Sequence, residues 1–144
     1  TIYEADSAEK AIEIASQPLL QSGSIEKEHI VIPANIETLS LSSFVFDTGC
    51  AMTNLTLSDL AYLKRMNIIS DKNKIGDIYA VGMSGTKRLA HKYKVPCICI
   101  GNLKIHDVEI IFSDTNKRTL GYNILKRFDN VSINFQNKTV IFEY

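Results

Sequence analysis

An apolar strand that ends in an ionisable carboxylate constrains the fold of this chain more than any other feature of its sequence. The run Phe44–Phe46 is β-prone, and Asp47, Thr48 and Gly49 follow it directly. A carboxylate beside a packed strand must be hydrogen-bonded or otherwise compensated, because its desolvation is costly. Asp47 is therefore the first candidate for chemistry. The triplet alone also fits an ordinary strand-ending turn, in which Asp bonds its own backbone and Gly supplies a positive φ.

Segments on both sides of the triplet, and one far downstream, favour a functional interpretation. A helix opens soon after Gly49, a Leu120-Gly121 segment leads into a short predicted helix, and strand-like residues 131–135 follow. These motifs, in this order and spacing, resemble the retropepsin-like aspartic proteases over roughly residues 28–144. The resemblance implies a mostly β fold, a retropepsin-like closed β-barrel or sandwich protomer with two or three short helices. It also implies a hydrolase, an aspartic endopeptidase.

The resemblance assigns roles to three groups of residues. The catalytic group would be Asp47, with Thr48 bridging two loops through its hydroxyl and Gly49 offering its amide to the carboxylate. Substrate would meet the tip of a hairpin, the flap of the family, at Val81, Gly82, Met83, Ser84 and Gly85. The active site would be supported by Cys50, Leu120 and Gly121, since a glycine allows two backbone segments to approach closely.

Two positions depart from the family pattern. Cys50 stands where Ser or Ala is more common, which makes the site open to oxidation, and Thr119 stands where a second aliphatic residue is more usual.

The single Asp-Thr-Gly triplet sets the expected assembly. Peptide hydrolysis by this route needs two adjacent carboxylates that share one proton, as in the aspartic proteases, because like charges so close cannot both ionise. We therefore expect a homodimer in which Asp47 meets its own copy across a two-fold axis. The other aspartates lack the same setting; they are Asp6, Asp59, Asp71, Asp77, Asp107, Asp114 and Asp129. The expected substrate is a peptide or an unfolded protein.

Two other classes of function compete with the protease. A dimeric peptide-binding module of the same fold would need no catalytic Asp. A Cys-reactive or metal-binding protein would depend on Cys50, Cys97 and Cys99, an odd number with no disulfide framework. Cys97 and Cys99 would share one face of a strand, and the three histidines show no ligand spacing. We expect no metal, no cofactor and reduced thiols, which favours a cytoplasmic location.

Composition bears on the partners. The formal net charge is zero and the pI is about 6.8, so neither nucleic acid nor an anionic membrane surface is an expected partner. No apolar run approaches the ~18 residues of a membrane-spanning helix. A chain of 144 residues fits one domain. Because it begins with Thr1, we expect that a tag, leader or larger parent has been removed.

Local patterns divide the chain in two. We predict that residues 1–24 contain an N-terminal helix, over 6–17, and a polar linker, and that residues 25–144 form the protease-like domain. Strands 29–36 and 39–46 are predicted as a hairpin that delivers Asp47. A helix over 56–66 begins at a Thr56–Asp59 capping pair, and its predicted buried residues are Leu57, Leu60, Ala61 and Leu63. Further hairpins are predicted across Gly101-Asn102 and across Asn137-Lys138.

Overall fold

The fold is known from a computed structural model that describes residues 19–20, 29–81, 85, 87–134, 136 and 139–143. The predicted N-terminal helix and linker up to residue 24 lie outside the described residues, except for 19–20. So do Gly82, Met83 and Ser84 of the predicted flap. Within the described part, no helix is long and apolar enough to cross a membrane.

The described residues are mostly β, as the sequence predicts. The strands are β1 Leu19–Leu20, β2 His29–Ile30, β3 Ala34–Ile36, β4 Leu39–Ser40, β5 Phe44–Phe46, β6 Thr53–Thr56, β7 Lys74–Val81, β8 Lys87–Ile100, β9 Leu103–Ser113, β10 Arg118–Leu120, β11 Asn130–Asn134 and β12 Thr139–Glu143. The helices are α1 Leu57–Arg65 and α2 Tyr122–Leu125, and Asp71–Asn73 form a 3-10 turn.

One large sheet carries most of these strands, in the order β4-β3-β8-β9-β6-β10-β5, with β7 paired to β8. The hairpin of β8 and β9 runs from Ile100 opposite Leu103 to His91 opposite Phe112. Gly101 takes φ 59° in its turn, a conformation that suits glycine. The hairpin predicted across Gly101-Asn102 is therefore confirmed.

The predicted strand 39–46 is wrong as a single element. β4 pairs with β3 in a short hairpin, and the chain then turns at Ser43, whose φ of 56° is incompatible with an extended strand. β5 resumes beyond the turn and pairs in parallel with β10. A bridge between Val31 and Val45 keeps β5 next to the earlier segment. The residues that lead to Asp47 thus belong mainly to a parallel pair, not to the predicted hairpin.

Helix α1 begins as the sequence predicts. The Asp59 N–H donates to Thr56 Oγ1 at 3.0 Å, and the Thr56 N–H donates to Asp59 Oδ2 at 3.2 Å, a complete capping box. Its predicted buried face is only half right. Leu60 and Leu63 are buried, whereas Leu57 is 40% exposed and Ala61 is exposed. The helix is rotated so that Asp59, rather than Leu57, faces the protein.

Buried side chains from the large sheet, both helices and the last hairpin form one apolar core. The hairpin of β11 and β12 is confirmed, with Asn134 opposite Thr139. It joins the core through Phe142, which is fully buried. The ring centres of Phe142 and Phe128 are 4.9 Å apart. The closing hairpin is therefore packed on the domain by aromatic contact.

Candidate active site

Asp47 lies at the end of a paired strand. Phe46 is opposite Leu120 in the parallel pair of β5 and β10, and the Asp47 N–H donates to the Leu120 carbonyl at 3.2 Å. The backbone of Asp47 is thus held by the sheet, while its side chain is exposed. The turn that follows starts from a fixed position.

The carboxylate of Asp47 accepts a hydrogen bond from the next turn of backbone. The Gly49 N–H donates to Asp47 Oδ1 at 2.9 Å, and the Cys50 N–H donates to the Asp47 carbonyl at 3.2 Å. A Cβ atom on Gly49 would lie 3.3 Å from Oδ1. Thr48 is exposed in the same turn. These contacts orient one carboxylate oxygen and are those of an Asx turn. The residues around the turn therefore have to distinguish a catalytic role from a simple chain reversal.

Gly121 lies against the far end of this loop. A Cβ atom on Gly121 would overlap the carbonyl carbon of Met52, and it would lie 2.6 Å from the Met52 oxygen and 2.7 Å from the Thr53 nitrogen. The φ of Gly121 is −97°, which any residue can adopt. The position therefore requires glycine for space and not for backbone conformation.

The segment after Gly121 bonds the loop along its length. The Tyr122 N–H donates to the Cys50 carbonyl at 2.7 Å, and the Asn123 N–H donates to the Ala51 carbonyl at 3.0 Å. The half-buried thiol of Cys50 donates to the Met52 carbonyl at 3.1 Å. Residues 47–52 are thus held by β10 at one end and by the start of α2 at the other.

Asn123 completes this network, and sequence reasoning missed it. Its Oδ1 accepts from the N–H and the hydroxyl of Thr53, both at 2.8 Å, while its Nδ2 donates to the Glu109 carbonyl at 2.8 Å. The hydroxyl of the fully buried Thr53 in turn accepts from the Gly121 N–H at 3.1 Å. One amide side chain therefore joins α2, β6 and β9 behind the Asp47 loop.

A partly buried ion pair joins β10 to α1, and the sequence did not predict it. Arg118 contacts Asp59 through Nη2 to Oδ1 at 2.7 Å and Nε to Oδ2 at 2.9 Å, and its Nη1 donates to the Ser42 carbonyl at 2.8 Å. Burial raises the pKa of Asp59, but hydrogen bonds from Arg118 and Thr56 outweigh it, so the pKa lies below its usual range. The pair connects α1 to the strand that supports Asp47.

A cavity of about 700 Å³ opens beside Asp47. Val45, Phe46 and Thr119 contribute to its wall, and Asn116 and Lys117 line it from the loop before β10. The volume lies in the range of small-molecule and peptide-binding pockets, ~300–1,000 Å³.

The predicted flap is described only in part. The backbones of Val81 and Lys87 pair at the end of the β7–β8 hairpin, and Gly85 takes φ 79°. A Cβ atom on Gly85 would meet nothing within 4 Å. None of the hairpin residues that the structure describes lines the cavity beside Asp47.

The three cysteines are free thiols. Cys97 and Cys99 lie half-buried on β8. The pKa of the Cys97 thiol is raised, mainly by its burial and to a smaller extent by the neighbouring Cys99 thiol. Within the described residues, no group of three or more His, Cys, Asp and Glu side chains could hold a metal ion.

Solved aspartic proteases share this architecture. A retropepsin-like aspartic protease from Rickettsia conorii matches with a TM-score of 0.60 and 18% identity, over 89% of this chain and 95% of that chain. The EIAV protease in complex with the inhibitor HBY-793 matches with a TM-score of 0.52 and 18% identity, over 74% of this chain and 93% of that chain. No family model and no curated protein matches the sequence. The structural likeness establishes the predicted retropepsin-like fold.

Proposed function

We propose that this protein is an aspartic endopeptidase that acts as a homodimer, with Asp47 from each copy forming the catalytic pair. One observation carries the proposal. Asp47 is an exposed carboxylate on a loop whose backbone is bonded at both ends, to Leu120 and to residues 122–123. An Asx turn that only reverses the chain can be made by Asn as well as by Asp, so it needs neither an ionisable side chain nor such support at both ends. The fold shared with two aspartic proteases gives the arrangement its context.

Two Asp47 carboxylates that share one proton can perform the whole reaction. The ionised carboxylate takes a proton from a water molecule, whose oxygen attacks the peptide carbonyl carbon. The protonated carboxyl group donates a hydrogen bond to the carbonyl oxygen, where negative charge develops. The carboxyl group that took a proton from water then donates it to the leaving nitrogen as the C–N bond breaks, which restores the pair with one shared proton. The Gly49 amide, 2.9 Å from Asp47 Oδ1, holds the carboxylate in place throughout.

The substrate in this proposal is an extended peptide. Extended chains bind enzymes through backbone hydrogen bonds, with side-chain pockets adding preference. The β7–β8 hairpin is proposed to act as the flap that covers the peptide, with residues 81–85 meeting the substrate, because closing the site excludes competing water. The cavity beside Asp47 is available for one substrate side chain.

The test is cleavage of an unfolded protein across roughly pH 4 to 7, where a carboxylate pair that shares a proton is expected to work. We expect fragments from the native chain and none from Asp47→Asn, which keeps the shape of the side chain and removes its ionisation. Asp107→Asn is the matched control, since Asp107 is an exposed aspartate elsewhere, on β9. The control is expected to cleave as fast as the native chain.

Two outcomes would contradict the proposal. Equal cleavage by the native chain and by Asp47→Asn would show that Asp47 is not catalytic. If neither cleaves while both bind an unfolded peptide, the protein is a peptide-binding module of the same fold.

A further inference from the structure

We propose that the cavity beside Asp47 is a subsite that selects an acidic side chain of the substrate and rejects a basic one. The inference rests on the proposed function and names the substrate class of the same site. The cavity lies directly beside the candidate catalytic carboxylate, because Asp47 itself lines the cavity. A side chain next to the bond that is cut can therefore enter the space between Val45 and Lys117.

The charges that line the cavity favour an anion. Among the described residues that line it, Lys117 and Arg118 are the cations and Asp47 is the carboxylate. Arg118 is already neutralised by Asp59, at 2.7 Å. No ion pair is found for Lys117 within the described residues, whereas Lys64 and Lys92 elsewhere contact carboxylates at 2.8 and 3.0 Å. The proton shared by an Asp47 pair removes part of the negative charge on the other side.

The backbone of Lys117 is fixed although its side chain is exposed. The Lys117 N–H donates to Thr115 Oγ1 at 3.1 Å, and Arg118, the next residue, pairs with Phe44 in the sheet. The loop is further connected to β8 by Arg88 and Asp114, at 3.3 Å. The ammonium group can thus reach a ligand without movement of the loop.

The shape of the cavity suits a side chain with an apolar stem and a polar end. Val45, Phe46 and Thr119 are half-buried and offer apolar surface to methylene groups. Asn116 adds a side-chain amide that can donate to a carboxylate. Glu satisfies both surfaces, Leu satisfies the apolar one, and Lys brings a like charge next to Lys117.

Binding can be measured apart from cleavage. The probes are extended peptides that are identical except at one position, which carries Glu, Gln, Leu or Lys, with that position moved along the peptide. The protein is the full chain with Asp47→Asn, so that no probe is cut. For one position we expect the Glu peptide to bind roughly tenfold more tightly than the Lys peptide, the effect of one exposed ion pair gained and one like-charge contact avoided.

Substitutions of Lys117 test whether this residue causes the difference in binding between the peptides. Lys117→Met in the same background is expected to remove the difference between Glu and Lys peptides, and Lys117→Glu to reverse it. Lys104→Met removes an exposed lysine on β9 that does not line the cavity, and it should leave the preference unchanged. In the chain that keeps Lys117, higher salt should reduce the preference for the Glu peptide over the Lys peptide.

The results separate this inference from the proposed function. A Glu preference that depends on Lys117 in the Asp47→Asn background, together with a native chain that cuts nothing, would support the subsite and contradict the protease. Asp47-dependent cleavage with equal binding and equal cleavage of Glu and Lys peptides would support the protease and overturn the subsite. A Glu preference that survives Lys117→Met would also overturn it, because the selectivity would then come from another residue.

Discussion

At the scale of single residues, Gly121 has a spatial requirement that no other side chain meets. Alanine there would place its Cβ 2.6 Å from the Met52 oxygen and 2.7 Å from the Thr53 nitrogen, both of them backbone atoms that cannot rotate away. We expect Gly121→Ala to lower the free energy of unfolding by about 3 kcal/mol, the upper end for an overpacked site. Urea unfolding measures the change, and peptide cleavage below the unfolding transition should fall with it.

Gly76→Ala is the matched control for that substitution. Gly76 lies in β7, and a Cβ atom there would meet nothing within 4 Å. Its unfolding midpoint should stay close to that of the native chain or rise slightly, because alanine restricts the unfolded state. Equal midpoints for the two alanine variants would show that the Asp47 loop moves aside at little cost.

The residues that the sequence could identify are those defined by their immediate neighbours. Asp47, Gly49 and Gly121 stand in short motifs whose chemistry is local, so their candidate roles could be read from the chain. Asn123 could not be found in this way. Its partner Thr53 is 70 residues earlier, and nothing in the sequence around either residue indicates the other.

At the scale of elements, the ion pair of Arg118 and Asp59 connects β10 to α1. Asp59 is 2% exposed, so removal of Arg118 would leave a buried carboxylate without its cation. We expect Arg118→Met to destabilise the fold by about 3 kcal/mol at neutral pH. Because the pKa of Asp59 is lowered in the folded state, the pair stabilises the protein above the unfolded-state pKa and stops doing so as pH falls through the folded-state pKa.

The pH dependence gives this prediction its measurement. The difference in unfolding free energy between the native chain and Arg118→Met should be largest at neutral pH. It should shrink as the pH falls below the unfolded-state pKa of Asp, about 4, towards the lower folded-state pKa of Asp59. Lys64→Met is the control, since Lys64 and Asp71 form an exposed ion pair. The urea midpoint of unfolding of that variant should equal that of the native chain at every pH. A constant difference for Arg118→Met across the pH range would contradict a charge-based role.

The sequence predicted helices and turns correctly where the residues that determine them are close together in the chain. The capping box of Thr56 and Asp59 located the start of α1, and Gly101 located the turn between β8 and β9. The break at Ser43 was missed because a serine with a positive φ leaves no pattern in the sequence. The exposure of Leu57 was missed because Asp59 takes an inward position beside Arg118, its partner 59 residues further along the chain.

At the scale of the whole molecule, the proposed chemistry depends on a second copy of the chain. Asp47 is the one carboxylate that lines its cavity within the described residues, and two carboxylates are needed to share a proton. Strand order could not be predicted from one sequence, since the parallel pairing of β5 with β10 joins segments more than 70 residues apart. The dimer stays a prediction that the single Asp-Thr-Gly triplet in the sequence makes.

Mixing native and Asp47→Asn chains tests the shared site directly. If each active site needs Asp47 from both copies, then after exchange in an equal mixture about a quarter of the dimers carry two aspartates, and cleavage should fall to about a quarter of that of the native chain at the same total concentration. Independent monomers would keep about half. Asp107→Asn chains mixed in the same way should leave cleavage unchanged. Dilution of the native chain should also lower its specific activity, because dimers dissociate. A mixture that keeps half its activity, together with specific activity that is constant on dilution, would place the whole catalytic apparatus within one chain and contradict the paired Asp47 mechanism.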